Sequence, residues 1–390
     1  MIFGDYFAYD TGYAIKSDFR AEYPNLSKNE FNYLFDTFNS VYDIPNIFLP
    51  LLNGVLAVRY GNRKMMTIFL LFIVVGNGLV WFGSTLKSWW VMIPARGFYG
   101  LGGDSLLVSQ WGYVSEYFGH DRVGVALAVT TIFTGLSETV NLFISPKIAD
   151  NISVDAAFAF AAILCLTALV ARFFMGILDV KIKQRSIIPE EEKTEEEEEE
   201  RSHRSSLCPS AKELTLPKAG YYVLLFGVLT STSHYGYYYM ASDFLQERWY
   251  NNLDPSKAQD KASSILSMAS SIKTIAVLVL APIADYYKVY NTLALASPII
   301  LTFSYAFSMF ISPVVPFVLY GISEALAHIS MWTCLAQAVP KKKILIATAF
   351  IYSLDNGLIA VIQYINTFIY SVTKNYDISI LIYIGINIIA

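Results

Sequence analysis

The segment Arg96 to Gln110, RGFYGLGGDSLLVSQ, places one acid in an otherwise apolar, glycine-rich stretch. An ionisable side chain at membrane depth is costly, so it usually faces a bundle interior or an aqueous cavity. Asp104 is therefore predicted to face a cavity and contact a substrate, the alternative being a buried acid bonded to serines and backbone. Arg96 could equally be a ligand or a helix anchor. Four glycines before Asp104 would let another backbone approach closely: Gly97, Gly100, Gly102 and Gly103.

A polar stripe marks the preceding helix-length segment. Its members recur at spacings of four, three, four and three: Asn32, Asp36, Asn39, Asp43 and Asn46. That spacing keeps one helix face polar over several turns. Pro45 and Pro50 interrupt the segment, and backbone groups freed by proline in a membrane commonly line a cavity. A solvated translocation face with Asp36 and Asp43 is predicted, against simple polar packing between helices, and Glu138 could join the same lining.

The later part of the chain has its own ionisable residues in apolar surroundings: His234, Asp243, Lys273, Glu324, His328 and Asp355. Glu324 and His328 are four apart, so they share a helix face and could form a proton relay or a local packing pair. Lys273 has no charged neighbour within a turn, so we expect it to pair with an acid on another helix or with an anionic ligand group. The tyrosines of HYGYYYM (His234 to Met240) could anchor at the membrane interface or line a polar solute site.

No catalytic, metal or cofactor motif is visible. The three cysteines, Cys165, Cys208 and Cys334, suggest neither a disulfide framework nor a metal cluster. The sequence also lacks HExxH, GxSxG and a phosphate-cradling glycine loop. We therefore predict no enzyme activity, no cofactor, no metal ion and no nucleic-acid partner. A membrane-embedded enzyme or scaffold is the alternative from another functional class.

Helices that cross a lipid bilayer must position these residues. The 390-residue chain is 55% hydrophobic and only 15% charged, which is too apolar for an ordinary soluble domain. A transmembrane helix needs roughly 20 mainly apolar residues. Ten stretches satisfy this measure: 31–57, 65–86, 89–117, 123–149, 155–179, 217–241, 263–287, 292–312, 314–338 and 344–371. The apolar ends, 1–14 and 376–390, are shorter and are predicted to be truncated first and last helices.

An acidic interval divides the chain. The run EEEKTEEEEEE (Glu190 to Glu200) supplies much of the net charge of −4, and such a block of like charge is typical of disorder. The predicted organisation is a six-helix half over 1–179, a disordered cytosolic linker over 180–216 and a second six-helix half over 217–390. The segments GVLAVRYGNRK and APIADYYKVYN follow equivalent spans of the two halves, which supports an internal repeat.

Two observations favour a cytosolic linker and cytosolic termini. The excess of lysine and arginine rests on the linker, while the short loops alone are nearly even. Two N-x-[ST] sequons, at Asn25 and Asn151, fall in loops that this orientation places outside the cytosol. Both asparagines are therefore predicted glycosylation sites.

The segment from Arg96 to Gly100 resembles the fourth-helix RxxxG motif of the major facilitator superfamily. The loop from Gly54, including Arg59, resembles that family's second-to-third helix motif, although Val58 stands where aspartate is usual; Asp285 keeps the aspartate in the second half. More closely, the chain resembles the lysosomal dipeptide transporters of this superfamily. The matching pieces are YFAYD, YDIPN, RGFYGLGGDSLLVSQ, ETVN, DFLQERW and SMWTCLAQAVP.

The resemblance implies an all-α membrane protein with the twelve-helix facilitator fold, acting as a uniporter that moves dipeptides from lysosome to cytosol. It also implies a glycosylated lysosomal membrane protein as accessory partner. In such transporters an acid in the GLGG segment holds the peptide's amino group, and Asp104 matches it. An arginine on the next helix holds the carboxylate, and this sequence has Gly135 there. Another small solute, such as a sugar, organic anion or amino acid, is therefore the alternative substrate.

Overall fold

The structure, a computed structural model, describes residues 1–117, 123–185 and 215–390. Before the acidic interval, three bilayer-length segments consist of two helices each: α1 (Ile2–Ala14) with α2 (Lys16–Ala21), α3 (Lys28–Asn46) with α4 (Leu49–Tyr60), and α6 (Trp89–Gly100) with α7 (Gly103–Tyr117). Three more segments are single helices: α5 (Asn62–Thr85), α8 (Val123–Asn151) and α9 (Val154–Arg185).

After the interval, six single helices follow. Their bounds are α10 (Lys218–Arg248), α11 (Pro255–Tyr287), α12 (Tyr290–Ser308), α13 (Val314–Ala338), α14 (Lys341–Thr373) and α15 (Asp377–Ile389). Five of the described helices are long and apolar enough to cross a membrane on their own, namely α5, α9, α11, α13 and α14. The remaining helices fall below that criterion in length or in hydropathy.

Each of the ten predicted spans coincides with a helical segment. The first segment was expected to end at Ala14, but α2 carries it to Ala21, because the backbone only bends at Ile15. Helix α9 continues beyond the predicted boundary at residue 179. Most of the predicted linker 180–216, including the glutamate run, lies outside the described residues.

Two of the three two-helix segments break beside proline or glycine. Pro45 and Pro50 flank the break between α3 and α4. Proline has no N–H to donate, so each removes a hydrogen bond from the helix. The break between α6 and α7 falls at Leu101 and Gly102. Asp104 consequently lies in the first turn of α7, rather than in the middle of a continuous helix as the sequence had suggested.

The helices before the acidic interval, α1 to α9, form the first group, and those after it, α10 to α15, form the second group. The two groups contact each other mainly along two pairs of helices. Helix α8 packs along α11, and α3 packs along α14. Within the first group, the glycines of the Arg96 segment permit close packing as predicted: a methyl group at Gly100 or Gly103 would collide with the backbone or the hydroxyl of Tyr42. The end of the bundle where α9 ends and α10 begins is called the linker side below, and the opposite end is called the far side.

Candidate functional site

A cavity lies between the two groups of helices, in the middle of the bundle. Its volume is about 110 Å³, whereas a buried water requires only roughly 10–15 Å³ of such space. Side chains of α1, α3, α7 and α8 line it on one side, and those of α10, α11, α13 and α14 on the other. The cavity is therefore large enough for a small solute, and both groups of helices contribute to it.

Asp104 lines this cavity. Its Oδ2 accepts a hydrogen bond of 2.5 Å from Nδ2 of Asn356 on α14, and its backbone N–H donates to Oδ1 of Asn46 at 3.3 Å. Within the described residues, no lysine, arginine or histidine forms an ion pair with Asp104. Its side chain thus faces the cavity with a neutral amide as its partner.

Lys273 also lines the cavity but is held by two acids from other helices. Its Nζ forms ion pairs with Glu138 on α8 and, at 2.9 Å, with Glu324 on α13. The Ser270 hydroxyl also donates to Glu138, at 2.8 Å. Of the two predicted kinds of partner, an acid on another helix or an anionic ligand, the structure supplies the first, twice over. This buried cluster ties the two groups of helices together.

The histidines bond to backbone rather than to acids. His328 lines the cavity, but its Nδ1 lies 3.0 Å from the carbonyl oxygen of Glu324, because the Glu324 carboxylate is turned toward Lys273. The two side chains therefore bond to other groups, and the proton relay between Glu324 and His328 stays a prediction. His234 is fully buried, 2.9 Å from the carbonyl of Thr230, and is not among the cavity-lining residues.

Several cavity residues were not predicted from the sequence. Asp5 and Asp10 on α1 line the cavity, although the sequence predicts only a truncated helix for the first segment. Their signal was present, since both are acids in an apolar stretch. Aromatic residues contribute much of the remaining lining: Tyr6, Tyr9, Tyr42, Trp111, Tyr235, Tyr238, Tyr239, Trp332 and Tyr352. Of these, Tyr235, Tyr238 and Tyr239 belong to the tyrosine cluster of α10.

The polar stripe of α3 divides between two environments. Asn32 and Asp36 line a second, smaller cavity of about 30 Å³ nearer the far side, where Asp36 accepts a hydrogen bond from Thr367. Asn39 donates back to its own helix at 3.0 Å. Asp43 is 1% exposed, and neither of its carboxylate oxygens has a hydrogen-bond partner among the described residues. The stripe therefore combines cavity lining with buried packing.

Arg96 acts as an anchor for α1. Its guanidinium donates to the carbonyl oxygens of Ala8 at 3.3 Å and Tyr9 at 2.7 Å, and it lies about 5 Å from the ring centroids of four aromatic residues: Tyr9, Phe38, Tyr42 and Tyr99. Such placement over aromatic faces stabilises a buried cation. Arg96 is 1% exposed and is not among the residues that line the cavity.

The loop-motif residues lie at the linker side. Gly54 is buried with open space around it, and Arg59 is exposed, with its guanidinium over the ring of Tyr60. In the later half, Asp285 pairs with Lys288 at 2.6 Å and accepts a hydrogen bond from Tyr290 at 2.7 Å. Both copies of the motif therefore sit at the same end of the bundle, as the internal repeat requires.

The far side of the bundle is closed by polar contacts between the two groups of helices. Lys16 on α2 pairs with Asp243 on α10 at 2.6 Å, and Lys28 on α3 pairs with Glu247 on α10. The Gln259 amide adds a hydrogen bond of 2.8 Å to the carbonyl of Ala14. Each of these contacts must break before the far side can open.

Toward the linker side, the cavity ends on aromatic rings instead. Trp111 on α7 and Trp332 on α13 contact edge to face with centroids 4.4 Å apart, and Tyr352 on α14 stacks on Trp332 at 5.8 Å. Such contacts contribute about 0.5–1.5 kcal/mol beyond burial. The cavity is thus bounded by ion pairs on one side and by aromatic contacts on the other.

Both sequons lie at the far side. Asn25 and Asn151 are exposed, but the serine of each sequon also has a structural role. The Ser27 hydroxyl accepts a hydrogen bond from the Glu30 N–H, and that of Ser153 accepts one from Ala156. Each serine therefore caps the following helix, which accounts for it without glycosylation.

Within the described residues, no group of three or more metal-ligating side chains is placed to hold an ion.

A family model described as Major Facilitator Superfamily matches residues 2–363. The chain belongs to the major facilitator superfamily. A solved structure supports the fold of this facilitator: the proton:xylose symporter XylE bound to 6-bromo-6-deoxy-D-glucose superposes with a TM-score of 0.71 and 14% identity, over 100% of this chain and 92% of that chain. The predicted twelve-helix facilitator fold is thereby confirmed, and the protein is a membrane transporter.

The facilitator is also similar to curated relatives named "Lysosomal dipeptide transporter MFSD1". The Danio rerio protein is 24% identical over 372 residues, which is 93% of this chain and 76% of the relative. The Mus musculus protein is 23% identical over 381 residues, covering 92% and 76%. The human protein is 22% identical over 374 residues, covering 93% and 76%. The resemblance to lysosomal dipeptide transporters therefore extends over nearly the whole chain.

Proposed function

We propose that this facilitator moves dipeptides, or closely related small solutes with an amino group, from a lysosome-like lumen to the cytosol by alternating access. The observation that carries the proposal is Asp104, an acid in a cavity between the two groups of helices with a neutral amide as its partner. An acid at membrane depth is retained where a ligand, water or cation satisfies it. A peptide ammonium would supply that charge.

The alternatives fit the cavity less well. An organic anion would face five lining carboxylates and one lysine, so its charge would be repelled. A sugar would match the aromatic lining but leave the Asp104 charge unpaired, and a charge buried without a partner is costly. The solved sugar symporter is a neighbour in fold alone, because 14% identity carries no substrate information.

The proposed orientation places the far side in the lumen. The exposed sequons at Asn25 and Asn151 lie there, whereas the excess of lysine and arginine in the sequence falls around the linker. A lysosomal or other endomembrane location, and a glycosylated lysosomal accessory protein, complete the proposal. Co-purification from native membranes and immunofluorescence with a lysosomal marker test these two parts.

Uptake by the purified protein in proteoliposomes tests the transport function. Wild-type protein should take up lysyl-alanine and not glucose, and Asp104→Asn should reduce uptake at low substrate concentration. Asp254→Asn is the matched control, because it makes the same chemical change at an exposed far-side carboxylate whose side chain is 76% accessible. Glucose uptake without dipeptide uptake would overturn the proposal in favour of the sugar alternative.

A further inference from the structure

Acidic side chains outnumber basic ones on the cavity wall. Among the described residues, one ammonium faces the cavity, that of Lys273, against five carboxylates: Asp5, Asp10, Asp104, Glu138 and Asp355. Three of these acids have neutral hydrogen-bond donors. Tyr99 donates to Asp5 at 2.8 Å, Asn356 to Asp104 at 2.5 Å, and Thr232 to Asp355 at 3.2 Å. These three acids therefore have no cationic partner among the described residues, and a cationic occupant would supply one.

The single lysine is already neutralised. Lys273 bonds to Glu138 and Glu324 together, and Glu324 lies behind it, outside the cavity lining. A ligand carboxylate that reaches Lys273 must therefore displace or approach two tethered carboxylates. Like charges in a low-dielectric interior repel strongly, so a free carboxylate is poorly accommodated at this end of the cavity.

Gly135 on α8 leaves the space that Lys273 and Thr274 of α11 occupy. A Cβ atom at Gly135 would collide with the Thr274 hydroxyl and lie 3.4 Å from Cε of Lys273. The space that a larger side chain at 135 would enter is thus filled from α11. The cation at this place comes from the later half of the chain, and it is accompanied by two acids.

Asp10 adds a further acid at the same end. It is 5% exposed and lines the cavity, and no hydrogen bond or ion pair joins its carboxylate to any described residue. It also lies close enough to Glu138, Lys273 and Glu324 to interact with their charges. A buried acid without a partner, directed into a cavity, indicates a position for a donor or a cation on the solute.

We infer that the cavity selects amine solutes whose far end is an amide or a second ammonium, and discriminates against a free carboxylate there. One end of the solute would bind at Asp104 and the other near Asp10 and Glu138. This inference rests on the proposed function and narrows it: among solutes with an amino group, those without a free carboxylate at the far end bind more tightly than ordinary dipeptides.

A matched pair of peptides tests the inference. Lysyl-alanine and lysyl-alaninamide differ only in the terminal carboxylate, and their apparent affinities are compared in proteoliposomes at one pH, identical on both sides. The amide should bind about tenfold more tightly. 1,5-Diaminopentane should compete with it, and glycyl-glutamate should not. A preference for the free acid would overturn the inference while leaving the proposed function in place, whereas binding of neither peptide would overturn both.

A variant then assigns the discrimination to Lys273. Glu324→Gln removes one of its two acids without changing the cavity lining, so the ratio between amide and free acid should fall toward one. Asp254→Asn, at the exposed far-side carboxylate, should leave the ratio at about ten. An unchanged ratio in folded Glu324→Gln protein would show that the discrimination does not arise at Lys273. The wild-type comparison of the two peptides needs no variant and decides the inference even where Glu324→Gln fails to fold.

Discussion

Asp104 and Lys273 occupy the wall of the same cavity, and their partners differ in kind. Asp104 accepts from a neutral amide, which leaves its charge intact, whereas Lys273 donates to two carboxylates, which together exceed its charge. The acid is consequently available to a ligand, and the lysine is primarily a tie between helices. Removal of either charge should therefore affect different measurable properties, binding in one case and stability in the other.

The largest effect is expected at the lysine. Lys273→Met leaves Glu138 and Glu324 facing each other without a cation, and breaking a buried ion pair costs about 3–5 kcal/mol. Thermal unfolding in detergent should show a marked loss of stability. Lys273→Met combined with Glu138→Gln and Glu324→Gln should recover most of it, because no buried charge is left unpaired. Wild-type stability of the single variant would contradict the assignment of Lys273 as a tie.

The next effect concerns affinity at the acid. A charge-assisted hydrogen bond to a peptide ammonium is worth about 1.5–3 kcal/mol, so Asp104→Asn should weaken apparent affinity about ten- to a hundredfold. Unfolding temperature should change little, since asparagine still accepts from Asn356. Asp104→Glu keeps the charge and should be milder. Normal transport by the asparagine variant would make Asp104 a packing residue, and the site would be sought near Asp36 and Asp43.

A smaller effect is expected at the far-side ion pairs, which hold the conformation rather than the solute. The Lys28 and Glu247 side chains are 31% and 30% accessible, and losing such a partly exposed pair costs about 1 kcal/mol, or about fivefold in an equilibrium. Lys28→Gln should raise labelling of a Ser231→Cys variant by a membrane-impermeant reagent from the far side about fivefold. Lys257→Gln removes an exposed pair within α11 and should not change the labelling.

The smallest effect on transport is expected at the sequons, which instead report which side of the cavity faces the lumen. Asn25→Gln with Asn151→Gln should increase gel mobility in a glycosylating eukaryotic host. The asparagines are replaced rather than Ser27 and Ser153, because losing a helix cap costs about 1 kcal/mol. Labelling of the linker from the lumenal side would reverse the proposed orientation.

The fold could be predicted from the sequence because each bilayer-spanning segment is a continuous run of mainly apolar residues. The position of Asp104 in the cavity follows from the same local reasoning. The partners of Lys273 could not be predicted, because Glu138 lies 135 residues away along the chain and no local spacing relates them. Asp10 could not be predicted because residues 1–14 alone are too few to span a bilayer; in the structure, α2 completes that segment. The helix break beside Asp104 depends on a two-residue departure from helical geometry, which glycine permits but does not require.

The far-side closure also determines how the entrance is charged once it opens. Each ion pair has its cation on the first group of helices and its anion on the second: Lys16 and Lys28 face Asp243 and Glu247. Separation of the two groups would therefore leave one positive rim and one negative rim, and so an electric field across the mouth. A solute with separated charges would be turned by that field before it reached the cavity, and added salt would weaken this orienting effect.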